Sequence, residues 1–123
     1  MHKGKLTWLP EPLRLWILKK PVKKLYIQLT SKQKELDASR AFCSLNYLIH
    51  SGIPVKEADE IIMSLALASG RYSTARMRAR KLLDAQTIGN VQFHIDAIRT
   101  DATEAVKLTE KTRKQLSRYY ITL

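Results

Sequence analysis

From Ser31 onward the apolar side chains recur at helical spacing. In "SKQKELDASRAFCSLNYLIHSG", Leu36, Phe42, Leu45, Leu48 and Ile49 mark one face, and Ser31 is the expected N-cap. Gly52 ends that helix, since glycine tolerates the left-handed conformation of a helix C-terminus. Pro54 opens the next helix, where its fixed φ suits the first turn and no amide is needed. A second stripe of Val55, Ala58, Ile61, Ile62, Leu65 and either Leu67 or Ala68 follows, closed by Gly70. The pattern predicts two antiparallel helices over residues 35–70, packed through Phe42, Leu45, Ile49, Ile62 and Leu65, with Gly52 and Pro54 as their structural corner. A third helix, "RYSTARMRARKLLDA", is anchored by Met77, Leu82 and Leu83. Gly89-Asn90 signals a turn, and Phe93, Ile95 and Ile98 a short helix. Asp101 and Glu104 have the spacing of a capping box for a last helix along Ala105, Val106, Leu116, Tyr119 and Tyr120.

Upstream, "WLPEPLRLWILKKPVKKLYIQL" is interrupted by Pro10, Pro12 and Pro21, which predicts one or two short helices in place of a long one. The expected organisation is a basic, proline-interrupted arm over residues 1–30, followed by a helical-bundle domain over residues 31–123. With only 4 Gly and 4 Pro in 123 residues, the composition favours an all-α chain over a β-sandwich. The expected fold is a compact bundle of about six helices around a central αα-hairpin.

Charge adds a partner class. Lys and Arg number 22 against 11 Asp and Glu, a net charge of +11. Residues 1–34 hold nine of the basic residues and one acid, and residues 71–81 hold five and none. Two concentrations of positive charge imply an anionic partner. In the arm, Trp8, Trp16, Lys19, Lys20, Lys23 and Lys24 have the aromatic-plus-basic mixture of a membrane-surface segment. In the third helix, Arg71, Arg76, Arg78, Arg80 and Lys81 are candidate anion-binding or partner-binding residues. These five would serve equally in a small helical nucleic-acid-binding protein of plasmid or phage regulatory type. Against that reading, the helix after the Gly-Ile-Pro corner starts with Glu57, Asp59 and Glu60, where a recognition helix would carry basic or amide side chains.

No apolar run reaches the roughly 18 to 20 residues of a membrane-spanning helix, and no signal-peptide pattern opens the chain. His2, His50 and His94 are dispersed, the lone Cys43 has no partner for a disulfide or a zinc site, and neither a phosphate-binding loop nor a nucleophile elbow is present. The chain is expected to be non-enzymatic, without catalytic, metal or cofactor-binding residues and without cofactors.

Residues 31–70, with Phe42, Leu45, Leu48, Ser51, Gly52, Ile53, Pro54, Val55, Ala58 and Ile62, resemble the start of the repeated cytoplasmic domain of the type II secretion system F family. These are inner-membrane platform proteins of secretion machines and type IV pili. The resemblance implies a scaffold at the cytoplasmic face of the bacterial inner membrane. Its partners would be the assembly ATPase, which it couples to pilin handling, other inner-membrane components of the machine, copies of itself and the anionic membrane surface.

Overall fold

The computed structural model describes residues 10–85, 89 and 91–123, and among them every regular element is an α-helix. There are four: α1 Glu11–Phe42, α2 Leu45–His50, α3 Val55–Asp84 and α4 Val91–Ser117. The expected count of about six is therefore corrected, because three predicted breaks are absent and one unpredicted break is present. α3 runs unbroken through Gly70, and α4 through Asp101, which lies in mid-helix.

The largest correction concerns the arm. Residues 11–42 form one continuous helix, so the expected boundary at residue 30 falls inside it, and Ser31 is no N-cap. Pro10 stands at the N-cap position and Pro12 in the first turn, where a missing amide costs nothing. Pro21 does interrupt the ladder, at a local cost of about 3 kcal/mol, but it faces solvent. Across it runs a buried stripe, Leu15, Val22, Leu29, Leu36 and Cys43, one residue in every seven. Burying that stripe outweighs the local cost, since helices in proteins owe most of their stability to packing of an apolar face.

The same seven-residue period governs the other long helices. In α3, Ala58, Leu65, Tyr72 and Ala79 form one buried column and Ile61, Ala68, Ala75 and Leu82 the next, the alternation of threes and fours that defines a coiled-coil seam. In α4, Val91, Ile98, Ala105 and Thr112 repeat at seven, with Ile95 and Leu116 beside them. Four alanines among the eight seam positions of α3 let its neighbours approach closely.

α3 is the central helix, with α1 and α4 packed antiparallel on either side. Cross-links fix the register. Ser69 donates to Asp37 at 2.8 Å, Arg71 pairs with Asp101 at 3.6 Å, and the Tyr119 hydroxyl donates to Glu57 at 2.9 Å. α1 and α4 run parallel and barely touch, which leaves a groove between them floored by Tyr72.

The predicted single helix over residues 31–51 is broken at Cys43-Ser44. Ser44 restarts it as α2 by accepting a bond from the Tyr47 amide at 3.2 Å. Phe42 lies one residue short of Cys43 in the buried column of α1 and is 77% exposed, and beyond the break Leu45 and Ile49 also lie at the surface, not in the core expected of them. Gly52, at φ +93°, ends α2. The Ile53 amide reaches the Leu48 carbonyl at 3.2 Å and the Gly52 amide reaches that of Ile49 at 3.0 Å, with Ile53 and Leu48 both buried. α4 ends in the same Schellman arrangement, with the Ile121 amide on the Leu116 carbonyl at 3.1 Å, but the left-handed residue is Tyr120, at φ +62°. An L side chain in that conformation costs about 1 to 2 kcal/mol. Tyr120→Gly should therefore stabilise the protein by about 0.5 to 1 kcal/mol after the extra freedom it gives the unfolded chain. A chemical-denaturation midpoint that falls would contradict this.

Candidate interaction surfaces

The side of α1 opposite its buried stripe is unusual for a surface. Leu13, Trp16, Ile17 and Ile27 are exposed there, Trp16 and Ile27 each at 59%, and Lys20, Lys23, Lys24 and Lys34 are interleaved with them. The Lys20 ammonium stands 4.2 Å above the Trp16 ring, a cation–π contact that keeps the charge beside the apolar patch. Of the expected membrane-surface residues, Trp16, Lys20, Lys23 and Lys24 are thus brought together, and Trp8 lies outside the described residues.

Lys19 belongs elsewhere. Its Nζ donates to the Leu83 carbonyl at 2.8 Å and to that of Ala85. These are C-terminal groups of α3 without a partner in the helix, at the negative end of its dipole. Lys19 is a tie between α1 and α3. Conversely, Leu13, Ile17, Ile27 and Lys34 join the surface although they were not singled out; their positions three, four and seven residues from Trp16, Lys20 and one another were the available signal.

The five basic residues of α3 do not share a face. Arg71 turns to Asp101 on α4, and Arg78 lies 3.5 Å from the His94 ring nitrogen on the same side. Arg76 turns the other way: its Nε donates to Thr30 at 3.2 Å, its Nη1 to Gln33 at 2.8 Å, and its guanidinium lies over the Tyr26 ring. Arg80 pairs along its own helix with Asp84 at 3.5 Å, and Lys81 is exposed. Three of the five are spent on holding the helices together.

The groove between α1 and α4 consists of two adjoining cavities of about 320 and 240 Å³ that share Lys32, Tyr72 and Val106. Its floor is Leu25, Leu29, Leu36 and Tyr72, and its rim carries Glu35, Glu110 and Arg113. Burial pushes the Tyr72 hydroxyl above its ordinary pKa, partly offset by a hydrogen bond with Thr109. The Cys43 thiol is also raised by burial, the reverse of what activates a nucleophilic cysteine. Tyr119 is raised chiefly by its hydrogen bond to the Glu57 carboxylate. Among the described residues no three His, Cys, Asp or Glu side chains converge as metal ligands, and no helix is long and apolar enough to cross a membrane. No family model, curated protein or solved structure matches the chain, and the likeness of residues 31–70 to the secretion-platform family rests on those residues alone.

Proposed function

We propose that this chain is a non-enzymatic scaffold module that lies on an anionic membrane surface through the outward side of α1. The observation that carries this reading is the interleaving of Leu13, Trp16, Ile17 and Ile27 with Lys20, Lys23, Lys24 and Lys34 on a side left uncovered among the described residues. Such a helix lies in the interfacial plane, with its rings and aliphatic chains at the acyl boundary and its ammonium groups among lipid phosphates. The likeness of residues 31–70 to secretion and pilus platform proteins agrees with a place at the cytoplasmic face of an inner membrane. On this reading α3, α4 and the groove remain available to protein components such as an assembly ATPase. The nucleic-acid reading gains no specific support, because the α3 arginines point in different directions and are mostly engaged.

Co-sedimentation of the full chain with neutral and anionic phosphatidylglycerol vesicles tests the reading. Each lysine near an anionic leaflet is worth about 1 kcal/mol before screening. The quadruple variant Lys20→Gln, Lys23→Gln, Lys24→Gln and Lys34→Gln should therefore lose at least about tenfold in affinity at physiological salt. Helical content should stay unchanged, since all four side chains are exposed. Equal binding to both vesicle types, or none to either, defeats the proposal.

A further inference from the structure

We infer that two copies of this chain associate antiparallel through the outward side of α3, about a twofold axis at Gly70. This side is distinct from the α1 surface, and the inference stands without the membrane reading.

Gly70 sits in the interior of a 30-residue helix, a position where glycine costs about 1 kcal/mol relative to alanine. Nothing in its own chain requires it: φ is not left-handed, and a Cβ built there would meet no atom within 4 Å. A backbone left bare toward solvent permits close approach of something outside the chain. Around Gly70 lie large exposed apolar side chains, Met63 at 67%, Leu67 at 56% and Met77 at 62%.

The arrangement is self-complementary. In the seven-residue frame of α3, Lys56, Met63, Gly70, Met77 and Asp84 form the outermost column. Asp59, Ala66, Ser73 and Arg80 flank it on one side and Glu60, Leu67, Thr74 and Lys81 on the other. A second α3 laid antiparallel with Gly70 on Gly70 sets Met63 of each copy against Met77 of the other and Leu67 against Thr74. It also sets Asp59 against Arg80, Glu60 against Lys81 and Lys56 against Asp84. All six charged groups are exposed, so they are open to a partner, although Arg80 and Asp84 pair loosely within the free chain. The column carries three cations and three anions and is locally neutral on a chain of net charge +11. On this face each charge on one side of Gly70 has one of opposite sign at the matching distance on the other side, as an isologous interface requires.

The contact is one helix face, about 42 Å long from Lys56 to Asp84 at 1.5 Å per residue. That is less than the area of a standard stable interface, so the dimer should be of micromolar strength. Sedimentation equilibrium of the full chain from about 1 to 300 μM should show a reversible monomer–dimer equilibrium. Asp59→Arg with Glu60→Arg sets four like-charge pairs into the interface and should weaken dimerisation at least about tenfold. Adding Arg80→Asp and Lys81→Glu should restore it. Cysteine substitution reads the register independently. An equimolar mixture of Met63→Cys and Met77→Cys proteins should form disulfide-linked heterodimers under mild oxidation, and neither variant alone should do so above the level set by Cys43 in the parent chain. A parent that stays monomeric at 300 μM, a fourfold variant that does not recover, or self-cross-linking of a single cysteine variant would overturn the interface.

Discussion

Deletion of residues 1–29 should abolish the cooperative unfolding transition of this protein. The deletion removes Leu15, Val22 and Leu29 from the core, together with the Lys19 bonds to the end of α3. Three buried aliphatic side chains at about 1.5 to 3 kcal/mol each amount to about 5 to 9 kcal/mol. That is comparable to the whole stability of a domain of this size, commonly about 5 to 15 kcal/mol. Val22→Asp in the intact chain should have a similar consequence, because it puts an unpaired carboxylate at a position with no solvent exposure. Far-UV circular dichroism against temperature would check both. A sharp transition at an unchanged midpoint after the deletion would mean that the first half of α1 is separable from the bundle.

Leu65→Ala should cost about 2 to 5 kcal/mol, the range for emptying a closely packed site. Leu65 is 1% exposed in a seam of α3 whose small neighbours cannot expand to fill the space. Phe42→Ala, although it removes a larger side chain, should change stability by no more than about 0.5 kcal/mol, because Phe42 is largely in water. Leu45→Ala should fall between the two. Urea denaturation of the three variants measures the order directly, and a Phe42 effect as large as that of Leu65 would put the C-terminal end of α1 in the core.

The contrast between Leu65 and Phe42 marks what could be read from the amino acids and what could not. The second stripe was legible in Ala58, Ile61, Leu65 and Ala68, which are buried in α3 as their spacing required, while Val55 at its start lies exposed. The face through Phe42 was misread because Cys43, one residue on, continues the buried column of α1, and because the break at Cys43-Ser44 rotates Leu45 and Ile49, where a serine offers no signal as strong as glycine or proline. Pro21 and Gly70 gave the opposite error. Each lowers the local tendency to form a helix, yet each is overruled by burial of residues seven apart on both sides, an energy that depends on neighbours distant in sequence. The Leu15-Val22-Leu29-Leu36-Cys43 period was there to be seen, hidden by the weight given to three prolines. Among the site residues, the tryptophan and lysine cluster of α1 could be named from composition. The inward turn of Lys19 could not, because only the antiparallel register of α1 on α3 brings the carbonyls of Leu83 and Ala85 within its reach.

The three long helices alternate in direction, so the described chain starts and finishes at opposite ends. Pro10 opens α1 at one end, and Leu123 lies in the same cleft as Ser39 and Phe42 at the other. At 1.5 Å per residue, the 32 residues of α1 separate those ends by about 48 Å. A tension applied between them runs along the helix axes and loads the seams of α3 in shear, so many side chains must slide at once. A sideways pull would peel them apart one turn at a time. The fold is a short strut, stiffest along its length.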